Sequence, residues 1–219
     1  MKMKTIVSGC ILSLLATVCV LPVFAGTSDR DTKNKANTSF VSLTRQVEPF
    51  TEIELTCVGN ILFTQSDTYS LRLEGTDDYV EQVTTEVKGS TLQIECKEKK
   101  KFNKGKVQLT VYLSAPSLEA VHIKGVGDFT NEGSLHCDKL SLRLQGVGNF
   151  SVTQLRADKV SVDLTGVGNM EVDLECDNLY ARMSGVGQME LSGRTRVADI
   201  RRTGIGSLNR SNLKVTESK

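Results

Sequence analysis

A chain of 219 residues carries 27 basic and 26 acidic side chains and has a formal net charge of +1. This balance excludes a general electrostatic attraction to nucleic acid or to anionic lipid, so we expect no nucleic-acid partner. The length suits one domain with a sizeable core, and no apolar run after the first 25 residues is long enough to predict an integral membrane span.

The first 25 residues predict a secretory signal peptide. Lys2 and Lys4 precede the apolar run Ile6–Phe24, and Val23–Ala25 resembles a cleavage site. We therefore expect export through this peptide, to the periplasm, the outer-membrane surface or the extracellular space. Lipidation is the alternative, because Val7–Cys10 has lipobox chemistry, but a long apolar run would then remain behind the modified cysteine.

The next stretch predicts a polar leader followed by short strands. Residues 26–39 are polar and charged without an apolar period, which predicts a flexible leader. Later segments alternate between apolar and polar residues, which is typical of half-buried strands. A lysine-rich run at residues 97–106 separates two such strands and predicts a solvated hairpin loop, with attachment to an acidic polymer as the alternative.

The second half of the chain repeats a glycine triplet at steps of about 20 residues, which is the signature of a solenoid array. The triplets are Gly125-Val126-Gly127, Gly146-Val147-Gly148, Gly166-Val167-Gly168, Gly185-Val186-Gly187 and Gly204-Ile205-Gly206. Alternating strands flank each triplet, and no window has the 3.6-residue period of a long amphipathic helix. The pattern therefore predicts an all-β fold whose coils stack as a parallel β-helix.

Stacked coils place equivalent residues in columns about 4.8 Å apart along the array. The middle residues of the triplets, Val126 to Ile205, are predicted to form an inward column. Each first glycine is predicted to adopt a positive φ, and each second glycine to permit close backbone approach. The residues that follow the triplets predict a hydrogen-bonded structural ladder, with a ligand-contacting row as the alternative. They are Asp128, Asn149, Asn169, Gln188 and Ser207.

Four cysteines follow the predicted leader. Cys137 and Cys176 occupy equivalent places two coils apart, so their separation should exceed the roughly 7 Å between Cα atoms that a disulfide allows. We therefore expect both to be small buried thiols in an inward column. Cys57 and Cys96 end two alternating strands, and these two either form a disulfide or remain thiols.

The repeated unit of strand, glycine triplet and Asp or Asn resembles the head GIN domain of putative auto-transporter adhesins, common in exported proteins of Bacteroidetes. The upstream half matches as well, in the segments Val47–Leu55, Val58–Ile61, Leu92–Ile94, Val107–Val111 and Ala115–Leu118. The resemblance implies a right-handed parallel β-helix-like solenoid with a less regular N-terminal β half, spanning residues 40–219 as a GIN-type domain. It implies no catalytic residues and no cofactor. One departure is Cys57, which stands where the first glycine of a triplet would be.

One outward column is predicted on the strands that precede the triplets, formed by His122, Arg143, Asp163, Arg182 and Arg201. Its simplest interpretation is a ladder of opposite charges. The alternative is a contact for an anion or a glycan, made by Tyr180, Arg182 and Arg201 near the C-terminal end. Arg202 falls at an inward position of the last coil, which indicates that the stack ends there.

Three further groups of residues could carry chemistry. Asp138, Asp158 and Asp177 should stack; turn chemistry is their simplest interpretation, and binding of a cation such as Ca²⁺ is the alternative. Glu171 and Glu190 occupy outward positions one coil apart, at the roughly 5 Å separation of a retaining glycosidase. The histidines, His122 and His136, are interpreted as isolated surface residues, since no zinc-type spacing surrounds them.

Taken together, the residues predict a non-catalytic exported module at the cell surface or in the periplasm, for adhesion or for binding of glycan or protein. No convergent catalytic set is present, so we expect no enzyme activity and no cofactor. The expected partner is a surface glycan or another envelope protein. A passive structural protein of the envelope is the alternative, followed by a carbohydrate-active enzyme on a β-helix scaffold.

Overall fold

Short strands whose side chains alternate between buried and exposed build the fold. The computed structural model describes residues 39–97 and 108–217, and strands account for 72% of them. The one helix in these two ranges is the single turn α1 (Asp77–Val80). The all-β prediction is therefore confirmed. The predicted signal peptide, all of the leader except Ser39, and residues 98–106 of the lysine-rich run lie outside the described residues.

Seven strands form the N-terminal half and eight form the C-terminal half. The first seven are β1 (Phe40–Arg45), β2 (Glu52–Leu55), β3 (Asn60–Gln65), β4 (Ser70–Thr76), β5 (Val83–Lys88), β6 (Thr91–Cys96) and β7 (Leu109–Ala115). The others are β8 (Ala120–Ile123), β9 (Phe129–Glu132), β10 (Leu135–Leu144), β11 (Val147–Leu164), β12 (Val167–Met183), β13 (Val186–Arg202), β14 (Ile205–Asn209) and β15 (Leu213–Val215).

The C-terminal half is a β-solenoid of about five turns, as predicted. Its strands pair in parallel, and equivalent residues of successive coils lie side by side, as Val147 does with Val167 and Val167 with Val186. Each coil has three faces. The first face precedes the glycine triplet (residues 120–123, 140–144, 160–164, 179–183 and 198–202), the second follows it, and the third contains residues 135–137, 155–157, 174–176, 193–195 and 213–215.

Three corners join these faces. The glycine corner, formed by the triplets, links the first face to the second. What we call the variable corner links the second face to the third, at residues 132–134 in one coil and 153–154 in the next. The aspartate corner, at Asp138, Asp158 and Asp177, links the third face back to the first, and two consecutive exposed residues mark it in each of the coils at Asp138 and Asp158.

The N-terminal half continues the first two faces with a less regular chain path. On the first face β2 pairs in parallel with both β8 and β6, and β5 closes the edge antiparallel to β6. On the second face β3 pairs in parallel with β9 and β7, after which β4 and β1 add antiparallel strands. β6 and β7 belong to different faces, and β6 pairs with β2 and β5 whereas β7 pairs with β3 and β4.

Apolar columns fill the interior between the faces. Phe129 and Phe150 lie in neighbouring coils with ring centroids 5.5 Å apart, and Met170 and Met189 continue their column. On the third face the column Leu135, Leu155 and Leu174 is equally buried. Complete burial of one such side chain stabilises a fold by roughly 1.5–3 kcal/mol, so the columns provide the main force that holds the coils together.

The middle residues of the glycine corner do not point inward, and that prediction was wrong. They are about half exposed, from 45% at Val186 to 49% at Val167, and Ile205 at the open end is 75% exposed. The physical reason is the glycine on each side. A Cβ at Gly168 would lie 1.7 Å from the Gly148 carbonyl oxygen of the preceding coil, so no side chain fits between the backbones there and the middle residue faces solvent.

The positive φ belongs to the second glycine of each triplet, not to the first as predicted. Gly148 has a φ of 155° and Gly168 a φ of 149°, whereas Gly146 and Gly166 have no positive φ. Both glycines are needed for close approach, because a Cβ at Gly146 would also overlap the Gly125 carbonyl oxygen of the preceding coil.

The last coil ends the apolar column of the first face with an arginine. Arg202 pairs in register with the buried Met183, as predicted, but its side chain is exposed rather than inward, and it donates a hydrogen bond to the Gly206 carbonyl oxygen. No described strand pairs with the far edge of residues 198–202. The guanidinium therefore points into the solvent at the open end of the stack, where an apolar side chain would otherwise be exposed.

Candidate functional site

A groove of about 330 Å³ on the first face contains the three residues predicted to bind a ligand. Tyr180, Arg182 and Arg201 line it together with Ser161, Asp163 and Asp199. The register explains their proximity, because Asp163, Arg182 and Arg201 are neighbours on adjacent strands, as are Ser161, Tyr180 and Asp199. We refer to this concavity as the first-face groove.

The side chains of the first-face groove offer an aromatic face, two carboxylates and two guanidinium groups. Arg201 is fixed by Asp199, with Nε and Nη2 each donating at 3.0 Å to the carboxylate, and this pairing raises the pKa of Arg201. Arg182 forms no ion pair with any described residue, and Tyr180 is 52% exposed. Asp163 lies 3.6 Å from Nε of Arg143, but its Oδ1 is buried and accepts no hydrogen bond from the described residues.

The N-terminal end of the same outward column is a polar network around His122. Its Nε2 lies 2.8 Å from Oε1 of Gln145, and its Nδ1 lies 3.7 Å from Glu54, which also pairs with Lys124 at 2.9 Å. Burial lowers the pKa of His122 and favours the neutral ring. His122 is therefore half-buried and partnered, not the isolated surface residue that was predicted.

The larger concavities lie on the third face, where the sequence pointed to the stacked aspartates but not to the row of residues beside them. One groove of about 710 Å³ crosses the variable corner, and another of about 850 Å³ lies along the aspartate corner. Both are lined by His136, Arg156, Glu175 and Arg194, which are in-register neighbours on successive strands. Their equal spacing in the chain was the available signal, but the third-face segments are only three residues long and show little alternation.

A protein-family model matches this chain over most of its length. The family described as Putative auto-transporter adhesin, head GIN domain matches residues 49–219. The chain belongs to this family. Among curated proteins, none matches this chain.

Several solved structures share the fold of this GIN domain. A putative adhesin from Parabacteroides distasonis ATCC 8503 has a TM-score of 0.75 and 20% identity, over 83% of this chain and 77% of that one. A putative lipid binding protein from the same strain has a TM-score of 0.72 and 18% identity, over 83% and 78%. A putative adhesin from Bacteroides fragilis NCTC 9343 has a TM-score of 0.60 and 21% identity, over 78% and 96%.

Within residues 39–97 and 108–217, no helix of this GIN domain is both long enough and apolar enough to cross a bilayer.

The stacked aspartates of the GIN domain lie in register at the aspartate corner, as predicted. Arg196 takes their place in the next coil and lies 3.8 Å from Asp177 and 3.0 Å from Glu217. Among the described residues, no three His, Cys, Asp or Glu side chains gather closely enough to hold a metal ion. The aspartates follow one another along a corner instead of converging on one point, so a cation site there stays a prediction.

Glu171 and Glu190 are neighbours in register on the second face, and both are exposed. Neither lines any of the four grooves described for this GIN domain. A glycosidase holds its substrate between two carboxylates in a cleft. The position of this pair on an open strand wall does not favour the hydrolase alternative.

The polar ladder beside the glycine corner is hydrogen-bonded along the stack. Asn149 Nδ2 donates to Asp128 Oδ1 at 2.8 Å, and Asn169 Nδ2 donates to Asn149 Oδ1 at 2.9 Å. The backbone N–H of Asn149 also donates to Asp128. These bonds join the first three side chains of the ladder, Asp128, Asn149 and Asn169, and support its structural interpretation there.

The four described cysteines are thiols, so Cys57 and Cys96 do not form the disulfide that was one of two alternatives. Burial raises the pKa of Cys57 to about 11 and that of Cys137 to about 11. Cys176 is buried, and its thiol donates to Thr195 Oγ1 at 3.3 Å. The raised pKa values of Cys57, Cys137 and Cys176 keep these three thiols protonated and unreactive near neutral pH.

Proposed function

We propose that this GIN domain is a non-catalytic exported module that attaches to a glycan at the cell surface or in the periplasm. The family is named for adhesins, and its solved relatives carry adhesin names, which supports a role in surface binding. The single observation that carries the proposal is the first-face groove, where the exposed ring of Tyr180 stands beside Arg182.

The chemistry of the groove suits a sugar. An exposed aromatic ring offers an apolar platform for the C–H face of a pyranose, while hydroxyl groups need both donors and acceptors. Arg182 supplies donors, and the partly exposed carboxylate of Asp163, which lines the groove, supplies an acceptor. Because Arg201 is already fixed by Asp199, its orientation costs little entropy when a ligand binds.

A glycan array followed by affinity measurements tests this proposal. We expect wild type to retain a subset of glycans, and Tyr180→Ala or Arg182→Ala to weaken their binding about tenfold, as the loss of about 1.4 kcal/mol would do. Tyr180→Phe keeps the ring and should bind nearly as well. Lys159→Ala is the matched charge control, because Lys159 is an exposed lysine at the edge of the same face, outside the groove.

Two results would contradict the proposal. If the array retains nothing, a passive structural role in the envelope becomes the better explanation. If glycans bind but Lys159→Ala weakens their binding as much as Arg182→Ala does, the glycans are held by non-specific charge attraction and the groove is not the site.

A further inference from the structure

The variable corner changes length from coil to coil, and this creates a notch in the side of the solenoid. Residues 132–134 form the corner in the first regular coil, and residues 153 and 154 form it in the next. In the two following coils a single residue suffices, Asp173 and then Ser192. Residues 211 and 212 lengthen the corner again in the last coil. The two short corners are therefore recessed between longer ones.

One wall of this notch holds an unfavourable backbone conformation. Gln154 has a φ of 53°, and no other non-glycine residue in the described ranges has a positive φ. A side chain with a Cβ is disfavoured in this region, and residues held there concentrate at ligand sites and turns. The buried Asn131 stabilises the wall, because its Nδ2 donates to the carbonyls of Gly133 and Thr153 at 2.7 and 2.9 Å.

The floor of the notch is small and apolar. Gly193 interrupts the buried leucine column of the third face, between Leu174 and Leu213 in register. A Cβ at Gly193 would lie 2.1 Å from the Leu174 carbonyl oxygen, so the position is closed to larger residues. Asp173 borders the floor, and its Oδ1 accepts a hydrogen bond from Ser192 at 3.1 Å.

Two positive side chains stand beside this floor without an acidic partner among the described residues. Arg194 and Lys214 are in-register neighbours on β13 and β15, and both line the groove. Neither forms an ion pair with a described residue, whereas Arg156 in the same row lies 3.4 Å from Glu175. A planar guanidinium next to an ammonium group matches the oxygens of a carboxylate or a sulfate.

We propose that this notch binds an acidic oligosaccharide, with a carboxylate or sulfate group between Arg194 and Lys214. Sugar hydroxyls would meet Ser134, Gln154 and Asp173, which line the same groove and provide both donors and acceptors. The groove of about 710 Å³ has the size of a small-ligand site. The site lies on a different face from the first-face groove and shares no residue with it, so it goes beyond the function proposed above.

Calorimetric titration of the purified protein with three probes tests the notch. The probes are oligogalacturonate for carboxylates, sulfated dextran oligomers for sulfates, and unsubstituted dextran oligomers as the neutral comparison. We expect one or both acidic probes to bind and the neutral probe not to bind. The acidic probe that binds more tightly identifies the oxyanion. Affinity should fall with added salt, because exposed charges are screened.

Single substitutions locate the binding. Arg194→Ala and Lys214→Ala should each weaken the acidic probe at least tenfold, while Lys159→Ala and Arg182→Ala, which remove one exposed charge on or beside the first face, should leave it unchanged. Lys214→Gln keeps most of the length of the side chain on the short strand β15 and should weaken binding similarly. Far-UV circular dichroism checks that each variant is folded.

The proposal is overturned if wild type binds neither acidic probe at millimolar concentration, or if Lys159→Ala weakens binding as much as Arg194→Ala. Arg182→Ala separates the two sites. If it weakens glycan-array binding about tenfold but leaves binding of the acidic probe unchanged, both proposals stand. If it weakens both to the same extent, the acidic probe binds at the first-face groove and the notch is excluded.

Discussion

Gly168→Ala should destabilise the fold strongly, because the glycine corner has no room for a methyl group. An added Cβ would lie 1.7 Å from the Gly148 carbonyl oxygen, where ordinary contacts begin near 3.4 Å. The neighbouring coil would have to move back by more than an ångström. That movement would stretch the two backbone hydrogen bonds that Gly166 and Val167 donate to the preceding coil, each 2.9 Å long.

The expected loss can be estimated from these contacts. Two or three weakened hydrogen bonds at about 1 kcal/mol each, with about 1–2 kcal/mol for a positive φ at alanine, give about 3–5 kcal/mol. Gly89→Ala is the matched control. Gly89 also has a positive φ, 65°, but a Cβ there meets nothing within 4 Å, so only the conformational cost of about 1–2 kcal/mol applies.

Equilibrium unfolding in urea, followed by circular dichroism, measures both variants. The difference in free energy of unfolding between Gly168→Ala and Gly89→Ala contains the close approach between coils and the difference in backbone conformation, φ 149° against 65°. A difference below about 1 kcal/mol would show that the coils adjust to a methyl group, and close backbone contact would then not be the reason for glycine at this corner.

Three further predictions concern other parts of the molecule. Gln154→Gly should raise the free energy of unfolding by about 1 kcal/mol, because glycine adopts the positive φ without cost, and it should weaken binding of the acidic oligosaccharide. A lower free energy of unfolding in urea would show that the backbone at Gln154 is not strained. Arg45→Met should cost about 2 kcal/mol, because the guanidinium donates to two backbone carbonyls and a threonine hydroxyl near α1. Chemical unfolding measures the loss, with Arg210→Met as the control, since Arg210 is exposed and forms no ion pair with a described residue. Cys57 and Cys137 should react with iodoacetamide about a hundredfold more slowly than in the denatured chain at pH 8.5, as pKa values of about 11 instead of 9.0 imply. Between pH 9 and 11 the unfolded chain loses thiol protons that the folded chain retains, so stability should fall as pH rises, and less so in Cys57→Ala.

The register of the solenoid could be predicted from the repeat alone. A fixed step of about 20 residues places Asp163, Arg182 and Arg201 on adjacent strands, and the structure aligns them so. The same argument aligned Asp138 with Asp158 and Asp177. Periodicity is informative here because each coil contacts only its neighbours, which turns sequence spacing into spatial proximity.

What the repeat does not determine is the direction of side chains at the corners and the shape of the surface. Val147 was expected inside, because apolar residues usually are, but contact between glycine backbones overrides that preference. The notch beside Gly193 depends on differences in corner length between coils, and a repeat encodes only what the coils share. The N-terminal half pairs strands distant in the chain, such as β1 with β4, and no local period encodes such pairs.

The glycine corner allows the number of coils, and with it the length of the solenoid, to change. Each coil meets its predecessor there through main-chain atoms, from Gly127 against Gly59 to Gly206 against Gly187, without any side chain to be matched. A whole coil could therefore be duplicated or deleted as a block, and the cross-section at that corner would be preserved. The rod would grow or shrink by one strand spacing, about 4.8 Å, and the distance between its two ends would follow from copy number.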